Sequence, residues 1–143
     1  MIELYRGDAK RIQHFCKVHS YAKLIAETEN VDEKSLFTIE AAALTHDIGI
    51  HFCEEKYGNC NGKLQEQEGP AIAERLLEKL GFEKDISERV QYLIAHHHTY
   101  NNINEIDYQI LVEADFLVNI MEDGLSKEAA LKAYESIFKT TCG

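Results

Sequence analysis

The chain has 143 residues, 45% of them hydrophobic, which is enough for one core and argues against disorder. Its 15 Lys and Arg against 25 Asp and Glu leave a net charge of −10, a surface that repels phosphate backbones and disfavours a nucleic-acid polymer as partner. No stretch approaches the ~18–20 apolar residues of a membrane span, and the opening "MIELYRGDAKR" carries no apolar run of signal-peptide length.

Cys16, Cys53, Cys60 and Cys142 form no C-x-x-C pair. A cytoplasmic protein with reduced thiols is the expectation, and a zinc site on Cys53 and Cys60 the minor alternative. No linker or repeat divides the chain. Residues 1–143 are expected to form one domain, with a core over about 11–120 and a C-terminal helix over about 126–141.

The pattern is helical nearly throughout, so the fold class is all-α, with about six helices. The first is expected from about Asp8 to Glu29. The second starts near Asp32 or Ser35 and runs through "LFTIEAAALTHD" to Gly49, and its alanine-rich middle suits a central, buried helix. Residues 50–65, "IHFCEEKYGNCNGKLQ", read as a loop with turn signals at Gly58-Asn59 and Asn61-Gly62. "EGPAIAERLLEKLG" predicts a third helix with Pro70 in its first turn and Gly81 at its end. "DISERVQYLIAHHH" predicts a fourth, "EIDYQILVEADFLVNIMED" a fifth closing near Gly124, and "SKEAALKAYESIFKT" a sixth capped by Ser126.

Residues three, four and seven apart share a helix face. His14 lines up with Val18, Tyr21, Ala22 and Ile25, and so faces inward, whereas His19 points toward the surface. Val90, Leu93, Ile94 and His97 share a stripe, which makes His97 the inward member of "HHH", with His96 and His98 at a rim. Asp115 lies among Leu111, Val112, Val118 and Asn119. His46 and Asp47 end the alanine-rich helix. Taken singly, each has an ordinary reading as a hydrogen-bonded core histidine or a helix-end carboxylate. Taken together they need a common partner, because buried polar groups must be satisfied and Arg11 is the main basic residue near them. Mixed imidazole and carboxylate donors suit Mn, Fe, Co, Ni, Zn or Mg.

The order His14, His46-Asp47, Asp115 resembles the HD-domain superfamily of metal-dependent phosphohydrolases. "RIQHFCKVHSYAKLIA" looks like its R-x-x-H motif, "AALTHDIG" like its signature doublet and "ILVEADFLVNI" like its final-aspartate helix. The resemblance spans about residues 11–120. It implies a compact helical bundle in which His14, His46, Asp47 and Asp115 bind one divalent metal ion, with Asp47 bridging to a second ion in two-metal members. Those members place a histidine before a helix where this chain has Glu68; His97 matches another of their ligands. The resemblance thus leaves two arrangements: a second ion on Glu68 and His97, or one ion with these residues acting on substrate. The lysine that follows the doublet in cyclic-dinucleotide-cleaving relatives is replaced by Ile50 and His51, which disfavours that substrate.

The implied activity is hydrolysis of a phosphomonoester or phosphodiester of a small metabolite or nucleotide by a metal-activated water. Asp47 would orient the nucleophile, His97 or His98 would protonate the leaving oxygen, and Arg11 would contact phosphate. His51 and Lys63 read as solvated loop residues. A di-iron oxygenase and a metal-stabilised, non-catalytic nucleotide- or partner-binding module are the alternatives. The chain is expected to act as a monomer or homodimer.

Overall fold

In the computed structural model, which describes residues 1–141, Asp8 begins the first helix by accepting a hydrogen bond from the Arg11 amide, and α1 runs Ala9–Thr28. Asp32 does the same for α2 (Glu33–Thr45) through the amides of Lys34 and Ser35. Each cap satisfies amides that a helix start leaves without intrahelical partners. Among the described residues there follow α3 (Ile50–Tyr57), α4 (Gly62–Lys79), α5 (Lys84–Ile94), α6 (Ile106–Glu122) and α7 (Lys127–Ile137), with no strand. Ser126 caps α7 as expected. Among the described residues no helix is long and apolar enough to cross a membrane.

Helix α2 is the central element and packs on α1, α5 and α6. Its Ile39, Ala42 and Ala43 are fully buried, against Val18 and Ala22 of α1 and Ile110, Leu111 and Ala114 of α6 in one core. Alanine on several faces lets these helices approach the centre closely, as the sequence pattern suggested. The core therefore surrounds the helix that delivers His46 and Asp47.

Three local expectations are corrected. Residues 50–65 are not a loop: α3 forms because Ile50 and Cys53 bury into the molecule, and Gly58 ends it at φ +72°. Pro70 is not in a first turn. Asn61 caps α4 two turns upstream by accepting from the Leu64 amide, and Pro70 lies inside the helix, where it removes one ladder donor. His96, His97 and His98 lie in a turn beyond the last residue of α5. That turn is clamped from two sides. Glu66 accepts from the His98 amide and the Thr99 hydroxyl, and the Tyr108 hydroxyl donates to the His96 and Thr99 carbonyls.

Gly49 has an ordinary φ of −78°, so turning is not what requires a glycine there. A β-carbon on Gly49 would stand 3.2 Å from the backbone N and Cα of Gly69. The turn after the His46-Asp47 doublet thus meets α4 backbone to backbone. On the other side of the crossing, a β-carbon on Gly69 would lie 2.7 Å from Ile94 Cγ2, and Ile94 is fully buried. Gly69→Val is expected to lower stability by roughly 1–3 kcal/mol through overpacking. A thermal melt unchanged from the parent would contradict that crossing.

Candidate metal centre

His14 stands in the middle of α1, His46 and Asp47 at the end of α2, Asp115 in α6 and His97 after α5. The structure brings them to one place. His14 Nε2 lies 3.2 Å from His46 Nε2 and 3.2 Å from Asp115 Oδ1. His46 Nε2 lies 3.5 Å from Asp115 Oδ1 and 3.5 Å from Asp47 Oδ2. The other Asp47 oxygen, Oδ1, faces His97 Nε2 at 3.3 Å.

The opposite nitrogen of each ring is committed elsewhere. His46 Nδ1 donates to the Ala43 carbonyl at 2.9 Å, and His97 Nδ1 to the Ile94 carbonyl at 2.8 Å. His14 Nδ1 donates to Glu122 Oε2 at 3.0 Å. Each ring, once neutral, therefore turns an Nε2 lone pair toward the carboxylates of Asp47 and Asp115, the tautomer choice that outer partners impose on metal-binding histidines. Lone pairs that converge at this range repel unless a proton or a cation sits among them. Asp115 Oδ1 is buried and has no hydrogen-bond partner other than the imidazole nitrogens of His14 and His46. The donor set and this buried oxygen fit a divalent ion on His14, His46, Asp47 and Asp115.

Among the described residues, His/Cys/Asp/Glu groups close enough to share an ion are His14 with His46 and Asp47, and Asp47 with His97 and His98. Asp47 belongs to both. Cys53, Cys60 and Glu68 belong to neither, and Asp115 joins the first through His14 and His46 alone, at 3.2 and 3.5 Å. Glu68 accepts instead from Lys56 Nζ at 3.1 Å and from the Tyr57 hydroxyl, both on α3, the helix that sequence reading took for a loop. His98 takes the place beside Asp47 and His97. Its Nε2 donates to Gln65 Oε1 at 2.8 Å, which leaves Nδ1 its lone pair. Gly62 makes room for that ring, since a β-carbon there would meet it at 2.8 Å. Burial, and then the neighbouring His97, push the His98 imidazole down to about 4. It is neutral at neutral pH and suits binding an ion rather than carrying a proton to the leaving oxygen.

Arg11 is held by Asp8 at 2.9 Å and by Glu54 at 2.6 Å, and His51 turns to Asp8 at 3.3 Å. A cleft of about 360 Å³ reaches the centre past Lys10, Arg11, His14, Asp47 and Asn119. A second cavity, about 450 Å³ and mostly apolar, lies between α1, α2 and α4 and is lined by none of the cluster residues. Only the first cleft meets the chemistry. The Tyr5 hydroxyl donates to the Asp47 carbonyl at 2.8 Å and fixes the turn. Sequence reading missed Tyr5, Gln65, Glu66 and Glu122. Of these, only Glu122 left a signal, seven residues past Asp115 and so on its face of the helix.

Burial would lower the His46 pKa, but Asp47 and Asp115 outweigh it and raise it to about 9. Burial likewise would raise the Asp115 carboxyl, and His14 and His46 hold it far below the usual carboxylate range. In ion-free protein, the His46 contribution to stability is complete below its ordinary value of 6.5 and is lost as pH rises through about 9. The Asp115 contribution is present above its ordinary 3.8 and is lost as pH falls through its lowered value. An arriving ion must displace the shared proton. Metal binding at pH 7 is thus expected to release protons and to tighten as pH rises toward about 9. Calorimetry in two buffers of different ionisation enthalpy measures this, and a proton count of zero at pH 7 would contradict it.

The family model for the HD domain matches residues 11–135. No curated protein and no solved structure matches the chain.

Proposed function

The chain belongs to the HD-domain family, and from that premise we propose that it is a metal-dependent phosphohydrolase acting on a phosphomonoester or phosphodiester of a small metabolite or nucleotide. The observation that carries this reading is the convergence of His14, His46, Asp47 and Asp115, with the buried Asp115 Oδ1 facing only the two imidazole Nε2 atoms, at the inner end of an open cleft.

When bound, a divalent ion supplies Lewis-acid polarisation of the phosphoryl group and a water of lowered pKa. The chain's own residues do the rest. Asp47 has one oxygen toward His46 and the other toward His97, so it can orient an attacking water and serve two ions. His97 is fully buried, with Nδ1 committed to the Ile94 carbonyl and Nε2 facing Asp47, which supports a ligand role over that of a mobile acid. Arg11, held by two carboxylates, gives the cleft wall a fixed positive group, and Lys10 adds a second. The same wall carries Asp8, Asp47, Glu122 and Asp123, so an anionic substrate would rely on a bound dication to reverse the local field. A cytoplasmic setting accompanies this reading, since Cys16, Cys53 and Cys60 are free thiols.

The test is a phosphoester panel run on chelator-stripped protein, with each divalent ion restored in turn. Turnover should vanish with stripping and return with a particular ion. Full activity in His46→Ala or Asp47→Ala would overturn the proposal. The Asp47, His97 and His98 group keeps a di-iron oxygenase in view as the second reading. Coupled-iron EPR signals with substrate-dependent oxygen uptake, and no phosphate release, would favour it. Metal binding without either turnover would leave a binding module.

A further inference from the structure

Three histidines face the cluster, and each needs an acceptor for its outer nitrogen. His46 and His97 follow the ends of α2 and α5, where helix carbonyls lack ladder partners, and each takes the carbonyl three residues upstream. His14 has no such carbonyl. It lies in the interior of α1 (Ala9–Thr28), where carbonyls are consumed by the helix itself. Its acceptor must come from another helix, and it comes from the last turn of α6, as Glu122 Oε2 at 3.0 Å. The second Glu122 oxygen is held by Lys17 Nζ at 2.9 Å, one turn along α1 from His14. Asp115 and Glu122 are two helical turns apart on one face of α6. That helix therefore delivers one candidate ligand and the carboxylate that aims another.

We propose that Glu122 is the positioning carboxylate of the metal centre: it fixes His14 as the Nδ1–H tautomer, with Nε2 turned to the ion, while Lys17 anchors Glu122. This rests on the metal-centre reading above, though not on the reaction assigned to it. A carboxylate behind a ligating imidazole orients the ring and raises its basicity. Lys17 offsets the negative charge that Glu122 would otherwise present to an anion in the cleft, whose wall Glu122 also lines.

The test measures metal affinity without any substrate, by competition of Zn²⁺ against a chromophoric chelator. The proteins are the parent, Glu122→Ala, Glu122→Gln and Glu74→Gln, the last a charge control at an exposed position on α4. Glu122→Ala should weaken binding about 10–100-fold, the usual cost of losing such a partner. Glu122→Gln, whose carbonyl still accepts from Nδ1, should stay within several-fold of the parent, and Glu74→Gln should match it. Nitrogen-15 spectra of the zinc-loaded parent should show His14 with its proton on Nδ1, and those of Glu122→Ala should lose that single tautomer. Equal affinity of Glu122→Ala and parent overturns the proposal. So does an equal loss in Glu122→Gln and Glu122→Ala, which would make charge alone the cause. A parent that binds no divalent ion would instead remove the metal centre itself, a result distinct from either.

Discussion

Asp115→Asn is expected to abolish tight binding of a divalent ion and to cut phosphoester turnover by about a thousandfold, equivalent to roughly 4 kcal/mol at 1.36 kcal/mol per tenfold. The substitution keeps volume and shape. It replaces a charged lone-pair donor, 3.2 Å from His14 Nε2 and 3.5 Å from His46 Nε2, with an amide that has half the acceptor capacity and no charge. A dication among two imidazoles and two carboxylates then loses half of its neutralising charge at a buried position.

A structural aspartate gives a different signature, so the same variant separates the two accounts. Melting of the parent should rise on adding metal, by about 2.7 kcal/mol of stability when free ion is a hundred times its dissociation constant. Asp115→Asn should show no such rise. In chelator the two proteins should differ by no more than about 1–2 kcal/mol, because the amide N–H can donate to a facing Nε2 where a shared proton served before. A parent that ignores metal, with a variant that melts far lower in every condition, would mark Asp115 as a fold residue only.

Much of this centre is legible in the sequence because helical periodicity is. His14, His97 and Asp115 each fall on an apolar stripe, and a stripe is a statement about direction that holds wherever the helix packs. The HD-domain resemblance orders the ligands along the chain, and the family match over residues 11–135 agrees with it. What was hidden depends on distance between elements rather than on direction along one. Segment 50–57 reads as a loop because it is short and charged, and only its Ile50 and Cys53 are buried; docking on α4 makes it a helix. Once α3 exists, Lys56 and Tyr57 take Glu68, and the second group near Asp47 passes to His98. Pro70 misleads for the same reason: an Asn61 cap two turns upstream outweighs the local preference of proline for a helix start. Gly49 and Gly69 carry no separate signals, since the constraint is that two backbones touch.

Glu113 shows the same limit, and its replacement should have the largest effect on the fold. Its side chain is wholly buried in α6 and sits two residues before Asp115, yet it has no part in the metal cluster. The chain leaves α7 in extended conformation at Phe138, so the next amides have no helical partner. Glu113 Oε1 accepts from the Lys139 amide at 2.6 Å, from the Thr140 amide at 2.9 Å and from Gln109 Nε2 at 2.6 Å, while Oε2 accepts from the Thr140 hydroxyl. One carboxylate thus pins the C-terminal segment, and with it α7, to α6. Glu113→Ala removes acceptors from several donors that cannot all reach water, and leaves a cavity. At about 1–3 kcal/mol for each unsatisfied group, with partial relaxation, a net loss of about 3–4 kcal/mol is expected, or roughly 10 °C in melting temperature for a domain of this size. Glu113→Gln keeps an oxygen for the Oε1 donors, and the Thr140 hydroxyl can turn to accept from the new amide, so its loss should be nearer 1 kcal/mol. Metal affinity measured well below the melting range should be retained in both, because Glu113 and Asp115 lie about 200° apart around α6. Equal losses in Ala and Gln would assign the effect to charge, and an unchanged melt in Glu113→Ala would show that α7 docks without this anchor.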